Sequence, residues 1–487
     1  MLSTLSPKTL WQIFAQICAI PRPSHHEQMI TKFIVDFAAQ HNIECELDKT
    51  GNILLRKSAT RGMEKAPSIA LQAHMDMVPQ KNEEVKHDFF VDPIQAYVDG
   101  DWVKAKGTTL GADNGIGLAS TLAVLVDPTV EHGPLEVLIT ASEETGMFGA
   151  FGLQSGWLKS HYLVNTDSED EGEIFTGCAG GVDFESTLPV TYAVIPETHD
   201  TFVRLSMKGL KGGHSGCDIH LGLGNAIKLL ARFLAQYASD INYRLADICG
   251  GSLRNAIPRE AFAEISLNKQ DLSKLEEIIS QFETTLKNEY KQIEPNLSFS
   301  YKLLTKEDVK RVFTAEQHKK IIDWLNSAPN GVIAKDSAYN VVETSLNFGV
   351  LKIHENQITA SFLIRSQVDS AKDYVVSSLI SHSELTGANY AMSGGYSGWE
   401  PDLNSKLLHL AQNEYVKLFN DKAKIMVIHA GLECGLFKKV YPEMDMISIG
   451  PTIVSPHSPD EKVNIHSVEK YWQLLLSILK NATQLRN

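Results

Sequence analysis

The chain has 487 residues, and its 45 Lys and Arg against 59 Asp and Glu give a formal net charge of −14. This length allows about two to four domains with well-developed cores. With 43% hydrophobic and 21% charged residues, the composition is that of a globular protein. The acidic balance argues against nucleic-acid binding, because phosphate neutralisation needs concentrated Lys and Arg. No apolar run is long enough to cross a bilayer, so we expect no membrane partner.

The six cysteines are scattered along the chain without a CxxC pair, at positions 18, 45, 178, 217, 249 and 434. This usage is typical of reduced thiols and not of a disulfide framework or a closed zinc knuckle. The first residues lack the basic region that precedes the apolar part of a signal peptide. Both observations predict a cytoplasmic location.

Between residues 43 and 183, short β-rich runs alternate with helical patterns. The clearest strand patterns cover residues 68–73, 135–141 and 162–166, and residues 116–126 have helical periodicity. Such alternation is typical of a parallel sheet with crossover helices. The sequence therefore predicts an α/β domain at the start of the chain.

Beyond Pro189 the pattern changes. Strands are predicted at 202–207, 297–303 and 358–364, with amphipathic helices that begin near Asn225 and cover 274–293. A segment rich in Gly and Ser at 393–398 then leads into a further helix–strand–helix stretch. We predict an α/β domain in two parts, residues 1–188 and 396–487, interrupted by an inserted α+β domain over residues 189–395.

Acidic residues and a histidine follow several of the predicted strands or precede a predicted helix. These residues are His74, Asp76, Asp113, Glu143, Glu144 and Asp167. Each alone is typical of a helix cap or a solvated turn. Ligands of open α/β sheets gather beyond the carboxyl ends of the strands, so the repeated placement favours one shared site. Carboxylates with imidazole suit Zn²⁺, Mn²⁺ or Co²⁺.

His74 and Asp76 are two residues apart, so on extended backbone their side chains point to the same side. Asp76 can therefore hold one ring nitrogen of His74 while the other nitrogen binds a metal ion. The adjacent Glu143 and Glu144 allow one carboxylate to ligate a metal and the other to act as a base. The residues alone leave open which glutamate has which role.

Five motifs, in chain order, resemble those of the M20 metallopeptidase family. They are HMDMVP (74–79), GADNGIG (111–117), ASEETG (141–146), NTDSED (165–170) and GGHSG (212–216). The set is most similar to the bacterial aminoacyl-histidine dipeptidase branch, the Xaa-His or cytosol non-specific dipeptidases. The resemblance implies a zinc-peptidase-like catalytic domain with a central, mostly parallel sheet. It also implies that the inserted α+β domain is a lid, which carries dimerisation in many family members.

The family pattern implies two divalent metal ions per chain, zinc or alternatively cobalt or manganese, bridged by Asp113. One site would comprise His74, Asp113 and Asp167, and the other Asp113, Glu144 and His457. Spacing alone does not single out His457, which lies in a Ser-Pro-His-Ser-Pro segment. Its nearest rivals in the sequence are His429 and His466.

The resemblance also implies roles in catalysis and substrate binding. Glu143 would be the general base and later protonate the leaving amine, and His214 would hydrogen-bond the developing oxyanion. Asn255 and Arg365 would hold the substrate's C-terminal carboxylate, and Gly431 would let the backbone approach the substrate. From the residues alone, His214 fits a turn equally well, whereas Gly431 is more typical of a turn and Arg365 of a solvated or cross-strand charge.

The sequence thus predicts a metal-dependent dipeptidase that hydrolyses short peptides, including Xaa-His dipeptides such as β-alanyl-histidine. An N-acyl-amino-acid deacylase or a carboxypeptidase of the same fold is the alternative. A non-catalytic metal-binding protein is a more remote one, because an incomplete site would indicate it and every implied position holds a competent residue. The expected partners are dipeptide substrates and a second copy of the chain, bound through the lid.

Overall fold

The structure, a computed structural model, describes residues 2–237 and 241–485. The chain divides into two compact units. The first comprises Met1–Cys178, Trp399–Val427 and Leu432–Asn487, and the second comprises Ala179–Gly398 and Ile428–Gly431. Strand Gly180–Pro189, which the sequence analysis assigns to the first segment, pairs along its length with Gln357–Ser366 and so belongs to the second unit. The return of 428–431 to the second unit is not predicted from the sequence.

An eight-stranded sheet forms the centre of the first unit. In spatial order its strands are Glu44–Leu47, Ile53–Lys57, Leu135–Thr140, Ile69–His74, Tyr162–Asn165, Asp445–Ser448, Glu173–Cys178 and Lys424–Ile428. The four middle strands run parallel, and Ile53–Lys57 pairs antiparallel on one side of them. Ile69–His74 and Leu135–Thr140 are buried at every residue, as expected for strands covered on both faces. The predicted fold class is confirmed, with the parallel strands at the centre of the sheet.

Helices supply the remaining core of the first unit. They are Lys8–Cys18, Gln28–Gln40, Ala112–Val126, Phe148–Gly152, Lys406–Phe419, Glu433–Val440 and Ile465–Lys480, with 3-10 turns at Leu2–Thr4 and Ala482–Leu485. Trp11, Phe14 and Tyr471 are among the largest side chains of this core. A small antiparallel sheet has its strands in the order Ile453–Val454, Lys462–Asn464, Trp102–Ala105 and Ala96–Asp99.

The second unit is an antiparallel sheet with helices, in agreement with the predicted α+β composition. In spatial order the strands are Ser298–Leu304, Thr201–Lys208, Ala261–Leu267, Tyr243–Gly250, Val341–His354, Gln357–Ser366, Gly180–Pro189 and Asn389–Tyr396, with Gly331–Asp336 also paired to Val341–His354. The helices are Ala226–Tyr237, Leu272–Glu289, Ala315–Ser327 and Asp369–Thr386, with 3-10 turns at Ile219–Leu221 and Lys269–Asp271. Two short pairs, Tyr192–Ala193 with Val312–Phe313 and Gly213–His214 with Ala256–Ile257, complete it.

Most predicted elements differ from the structure only at their ends. Asn225 precedes helix Ala226–Tyr237, and its Oδ1 accepts from the N–H groups of Ile227 and Lys228, which makes it the helix cap. The segment at 393–398 departs further from expectation, because residues 393–396 complete the exposed edge strand Asn389–Tyr396. Among the helices within residues 2–237 and 241–485, none has the length and apolar character of a membrane span.

Candidate active site

The polar residues singled out in the sequence lie at one end of the parallel strands of the first unit. His74 is the last residue of its strand, and Asp167 comes two residues after the end of the neighbouring strand. Glu143 and Glu144 follow the strand that pairs on the other side of His74. Asp113 lies at the start of a buried helix. The topology therefore brings together residues that are far apart in the chain.

Two groups of side chains share Asp113. In the first, His74 Nε2 lies 3.1 Å from Asp113 Oδ1 and 3.3 Å from Asp167 Oδ1. In the second, His457 Nε2 lies 3.1 Å from Asp113 Oδ2 and 2.9 Å from Glu144 Oε2. Within each group the ligand atoms lie within 4.8 Å of one another, so each group could hold a metal ion. Asp113 directs one oxygen to each group, so it could contribute a ligand atom to both.

The charges at this site fit divalent cations. Burial, reinforced by the charge of Asp113, raises the pKa of Glu144 to about 7 and that of Asp167 to about 6. Glu144 Oε1 is buried and has no hydrogen-bond partner. Buried like charges are costly unless a positive charge compensates them. Oxygen and imidazole donors without thiolates are suited to Zn²⁺, Co²⁺ or Mn²⁺.

Asp76 lies behind His74 and is fully buried. Its Oδ1 is 3.3 Å from His74 Nδ1, on the side of the ring away from the other two carboxylates. It also accepts hydrogen bonds from the backbone N–H groups of Glu143 at 3.0 Å and Glu144 at 3.2 Å, and from Ser24 Oγ at 2.7 Å. One carboxylate therefore holds both the imidazole and the turn that carries the two glutamates.

Glu143 differs electrostatically from an exposed glutamate. Burial raises its pKa well above the usual range, and the nearby charges of Asp167 and Glu144 act in the same direction. A buried carboxyl group whose pKa is raised takes up a proton more readily than an exposed glutamate, as a proton acceptor requires. This environment makes Glu143 a candidate acid–base group.

Glu433 is a fully buried carboxyl that is not predicted from the sequence. Its Oε2 accepts from Gln72 Nε2 at 2.6 Å and from Thr140 Oγ1 at 2.7 Å, and burial raises its pKa to about 8. Gln72 is a polar side chain inside a fully buried strand and must find a buried partner. That requirement is the signal in the sequence, although it does not indicate which residue is the partner.

The second unit places His214 in a defined tautomer. Its Nδ1 accepts from the backbone N–H groups of Gly216 at 3.3 Å and Cys217 at 3.0 Å, so the proton of the neutral ring is on Nε2. Burial, together with the charge of Arg365, lowers the pKa of His214 to about 4. At neutral pH His214 is therefore an uncharged ring that offers Nε2–H as a donor.

Arg365 is buried in the second unit, and its Nη1 donates to Tyr396 OH at 3.1 Å while its Nε has no hydrogen-bond partner. A Cβ added to Gly431 would meet Tyr396 OH at 3.0 Å, which places this glycine beside the same tyrosine. Asn255 is exposed, and its backbone oxygen accepts from Ser215 N at 2.8 Å, next to His214. The four residues expected to contact substrate therefore all belong to the second unit.

The two sequence rivals of His457 do not join the ligand groups. His429 is in the second unit, where its Nε2 lies 2.7 Å from Ser345 Oγ. His466 is exposed and lies 3.6 Å from Asp101. His457 alone among the three faces Asp113 and Glu144.

Comparisons with known proteins show the family to which the chain belongs. The model of peptidase family M20/M25/M40 matches residues 70–481. The cytosol non-specific dipeptidase of Escherichia coli (strain K12) is 55% identical over 480 residues, which cover 98% of each chain. The crystal structure of an aminoacylhistidine dipeptidase from Vibrio alginolyticus is 50% identical, with a TM-score of 0.91 over 99% of this chain and 98% of that one.

A more distant structure, the dipeptidase Dug1p of Saccharomyces cerevisiae, shares the fold alone. It is 12% identical, with a TM-score of 0.53 over 99% of this chain and 97% of that one. The resemblance seen in the sequence motifs, to the M20 family and to its aminoacyl-histidine dipeptidase branch, is confirmed. The chain belongs to the peptidase family M20/M25/M40 and is a peptide hydrolase.

Proposed function

We propose that this chain is a metal-dependent dipeptidase that hydrolyses short peptides, including Xaa-His dipeptides such as β-alanyl-histidine. The observation that carries the proposal is the pair of ligand groups that share Asp113, whose two oxygens face different histidines. The names of the relatives from Escherichia coli and Vibrio alginolyticus support a dipeptide substrate.

In this proposal two divalent ions, zinc or alternatively cobalt or manganese, bind at the two groups. His74 and Asp167 complete one site and Glu144 and His457 the other, with Asp113 common to both. When bound, the ions would polarise the scissile carbonyl and lower the pKa of the attacking water. Asp76 keeps the ring of His74 oriented through its Nδ1.

Glu143 accepts the proton of the attacking water and then transfers it to the nitrogen of the leaving amine. Its raised pKa supports this role, because this buried carboxyl takes up a proton more readily than an exposed glutamate does. His214 donates its Nε2–H to the oxyanion that develops on the carbonyl oxygen. Because the ring is neutral, this donor is available without a change of protonation at pH 7.

The second unit serves as a lid in this proposal and recognises the end of the dipeptide. Arg365 and Asn255 hold the substrate's C-terminal carboxylate, and Gly431 allows its backbone to approach the substrate. Arg365 has an unpaired, buried Nε and suits this task because a guanidinium binds a carboxylate through two parallel hydrogen bonds. A clamp on the free carboxylate would restrict the site to short peptides.

Two further parts of the proposal concern the whole protein. We propose a cytoplasmic location, in keeping with the name of the Escherichia coli relative. We also propose a homodimer formed through the second unit. The exposed edge strand Asn389–Tyr396, where Met392 is 50% exposed, supports a dimer because such an edge is a template for pairing.

A substrate panel tests the proposal against the two alternatives of the same fold. Zinc-loaded enzyme would be assayed with free dipeptides, their N-acetyl derivatives, their C-terminal amides and longer peptides, with ninhydrin or chromatographic detection of products. We expect kcat/KM to fall at least tenfold on either modification. Preference for the acetylated set would overturn the dipeptidase proposal in favour of a deacylase. Efficient release of C-terminal residues from longer peptides would favour a carboxypeptidase.

A further inference from the structure

Glu461 is a buried carboxylate that none of the roles above uses. It is 2% exposed and lies four residues after His457. Its two oxygens accept hydrogen bonds from the four consecutive backbone N–H groups of residues 110–113, at 2.7, 2.8, 2.8 and 3.2 Å. The last of these four residues is Asp113, so a single carboxylate fixes the backbone of the shared ligand.

Glu461 and His457 belong to one hairpin connection. It joins strands Ile453–Val454 and Lys462–Asn464, which pair antiparallel. The side chain of His457 is 53% exposed, so packing does little to hold it. Glu461 provides the buried anchor at the other end of the same connection. Its hydrogen bonds therefore tie the segment that carries His457 to the segment that carries Asp113.

The opposite side of residues 110–113 is held by Arg22. This arginine is 2% exposed and donates to the backbone carbonyls of Met75, Asp76 and Gly111. Gly111 has φ +69°, and a Cβ there would lie 2.6 Å from the Arg22 guanidinium, so the segment can have no side chain of its own at this point. Gly111 therefore donates its N–H to the carboxylate of Glu461, and its C=O accepts a hydrogen bond from the guanidinium of Arg22.

Helix electrostatics explain why a carboxylate is suited to this position. Residues 110–113 come just before the regular part of helix Ala112–Val126, because Asp113 and Asn114 have non-helical dihedral angles, and the N–H groups at such a helix start have no intrahelical acceptor. The positive end of the helix dipole stabilises an anion there. Glu461 therefore remains compatible with burial although Asp113 is close to it.

We propose that Glu461 is a positioning residue that assembles the group Asp113, Glu144 and His457 for metal binding. It acts through the backbone of 110–113 and through its hairpin connection to His457, and it does not touch the metal or the substrate. The inference rests on the proposed metal sites and extends them to a residue that lies outside the ligand set.

The first test is backbone amide exchange in the metal-free protein. In Glu461→Gln the new amide NH₂ would face N–H donors, so some of the four hydrogen bonds must be lost. We expect the amides of 110–113 to exchange at least tenfold faster than in the wild type, measured by mass spectrometry after exhaustive chelation. This readout does not depend on activity or on bound metal.

Glu136 offers a matched control in the same unit. It is 3% exposed and accepts the backbone N–H groups of Lys159 and Ser160, each at 2.8 Å, at the opposite end of the parallel strands from His74. Glu136→Gln should accelerate exchange at 159–160 and leave 110–113 unchanged. It should also leave the affinity for metal unchanged.

The second test is metal affinity, measured by competition titration with Zn²⁺ and a chromophoric chelator. We expect one of two zinc ions to bind Glu461→Gln about 10–100-fold more weakly than the wild type, as for other residues that orient metal ligands. Glu461→Asp keeps the charge but is one methylene shorter, and it carries the comparison if the Gln variant does not fold. Glu461→Asp should also bind zinc more weakly than the wild type.

The outcomes separate this inference from the proposed function. If the wild type binds fewer than two zinc ions, the proposed metal sites are wrong, whatever the exchange rates are. If the wild type binds two ions and a folded Glu461 variant keeps both the affinity and the protection of 110–113, the positioning role is wrong. If Glu136→Gln weakened zinc binding as much as Glu461→Gln does, the positioning role would also be wrong. The weaker binding would then follow from lost stability alone.

Discussion

Glu143 and Glu144 are neighbours in the chain whose carboxyl groups are in different surroundings. Asp76 accepts from the backbone N–H groups of both, so the turn that carries the two side chains is held in place. Glu144 Oε2 lies 2.9 Å from His457 Nε2, inside a ligand group. The turn geometry thus supports our proposal that Glu144 is a ligand and Glu143 the base.

Replacing each glutamate by alanine separates the two roles. We expect Glu143→Ala to keep two metal ions per chain and to lose dipeptide hydrolysis by about 10²–10⁴-fold in kcat, the usual contribution of a general base. Glu144→Ala should lose one of the two ions. Elemental analysis and steady-state kinetics on both variants make the comparison, and an active Glu143→Ala enzyme would disprove the assigned role.

At the scale of elements, Lys228 links two helices of the second unit. It lies in helix Ala226–Tyr237, and its Nζ donates to the carbonyl oxygens of Leu325, Asn326 and Ala328 at 2.8, 2.8 and 2.6 Å. These carbonyls lie at the end of helix Ala315–Ser327, where backbone acceptors lack intrahelical donors. Burial lowers the pKa of Lys228 to about 8, so at pH 7 the group is still predominantly an ammonium. The interaction is a helix cap supplied by another helix.

We expect Lys228→Met to reduce the free energy of unfolding by about 2 kcal/mol, because it leaves carbonyl groups unpaired. Lys319→Met is the control on the same capped helix. Lys319 is 76% exposed and pairs with Asp323 in an i,i+4 ion pair, so its loss should cost less than about 0.5 kcal/mol. Urea unfolding followed by circular dichroism measures both. Similar values for the two variants would contradict the capping role.

At the scale of the whole molecule, several histidines of the second unit are partly or fully buried and stay neutral at pH 7, among them His214, His318 and His429. Burial, with the charge of a neighbouring arginine, lowers the pKa of His214 and His318 to about 4 and that of His429 to about 3. In the unfolded chain each would titrate near the ordinary value of about 6.5. Between those values the unfolded chain binds more protons, so folding stability falls as the pH decreases.

Acidification from pH 7 to pH 5 should therefore destabilise the second unit, by about 2 kcal/mol for each such histidine. His318 is the suitable probe, because its Nδ1 accepts from Leu245 N at 3.2 Å and its ring packs edge-on against Tyr243, with Arg244 as the neighbouring charge. His318→Asn should flatten the pH dependence of the melting temperature. The control is His409→Asn, at an exposed histidine, which should leave the pH dependence of the melting temperature unchanged. A wild-type protein as stable at pH 5 as at pH 7 would contradict the prediction.

The sequence alone predicted what depends on local pattern. Alternating strands and helices gave the α/β class, and residue spacing placed His74 and Asp76 on one side of the chain. The position of Asp167 after a strand predicted that it would lie near them, because parallel strands end at the same edge. The motif order then indicated the family. These inferences succeed because each rests on neighbours in the chain or on a general rule of sheet topology.

Only the tertiary structure decided which distant residues meet. His457 was chosen over His429 and His466 by resemblance, whereas the structure shows that it alone of the three faces Asp113. Glu433 and Glu461 gave no signal of their own, because their partners lie about 350 residues away and are mostly backbone groups or a buried glutamine. Contacts of this kind depend on the path of the whole chain. The sequence thus determined the fold class and the ligand chemistry, and the folded chain decided which buried groups hold the ligands in place.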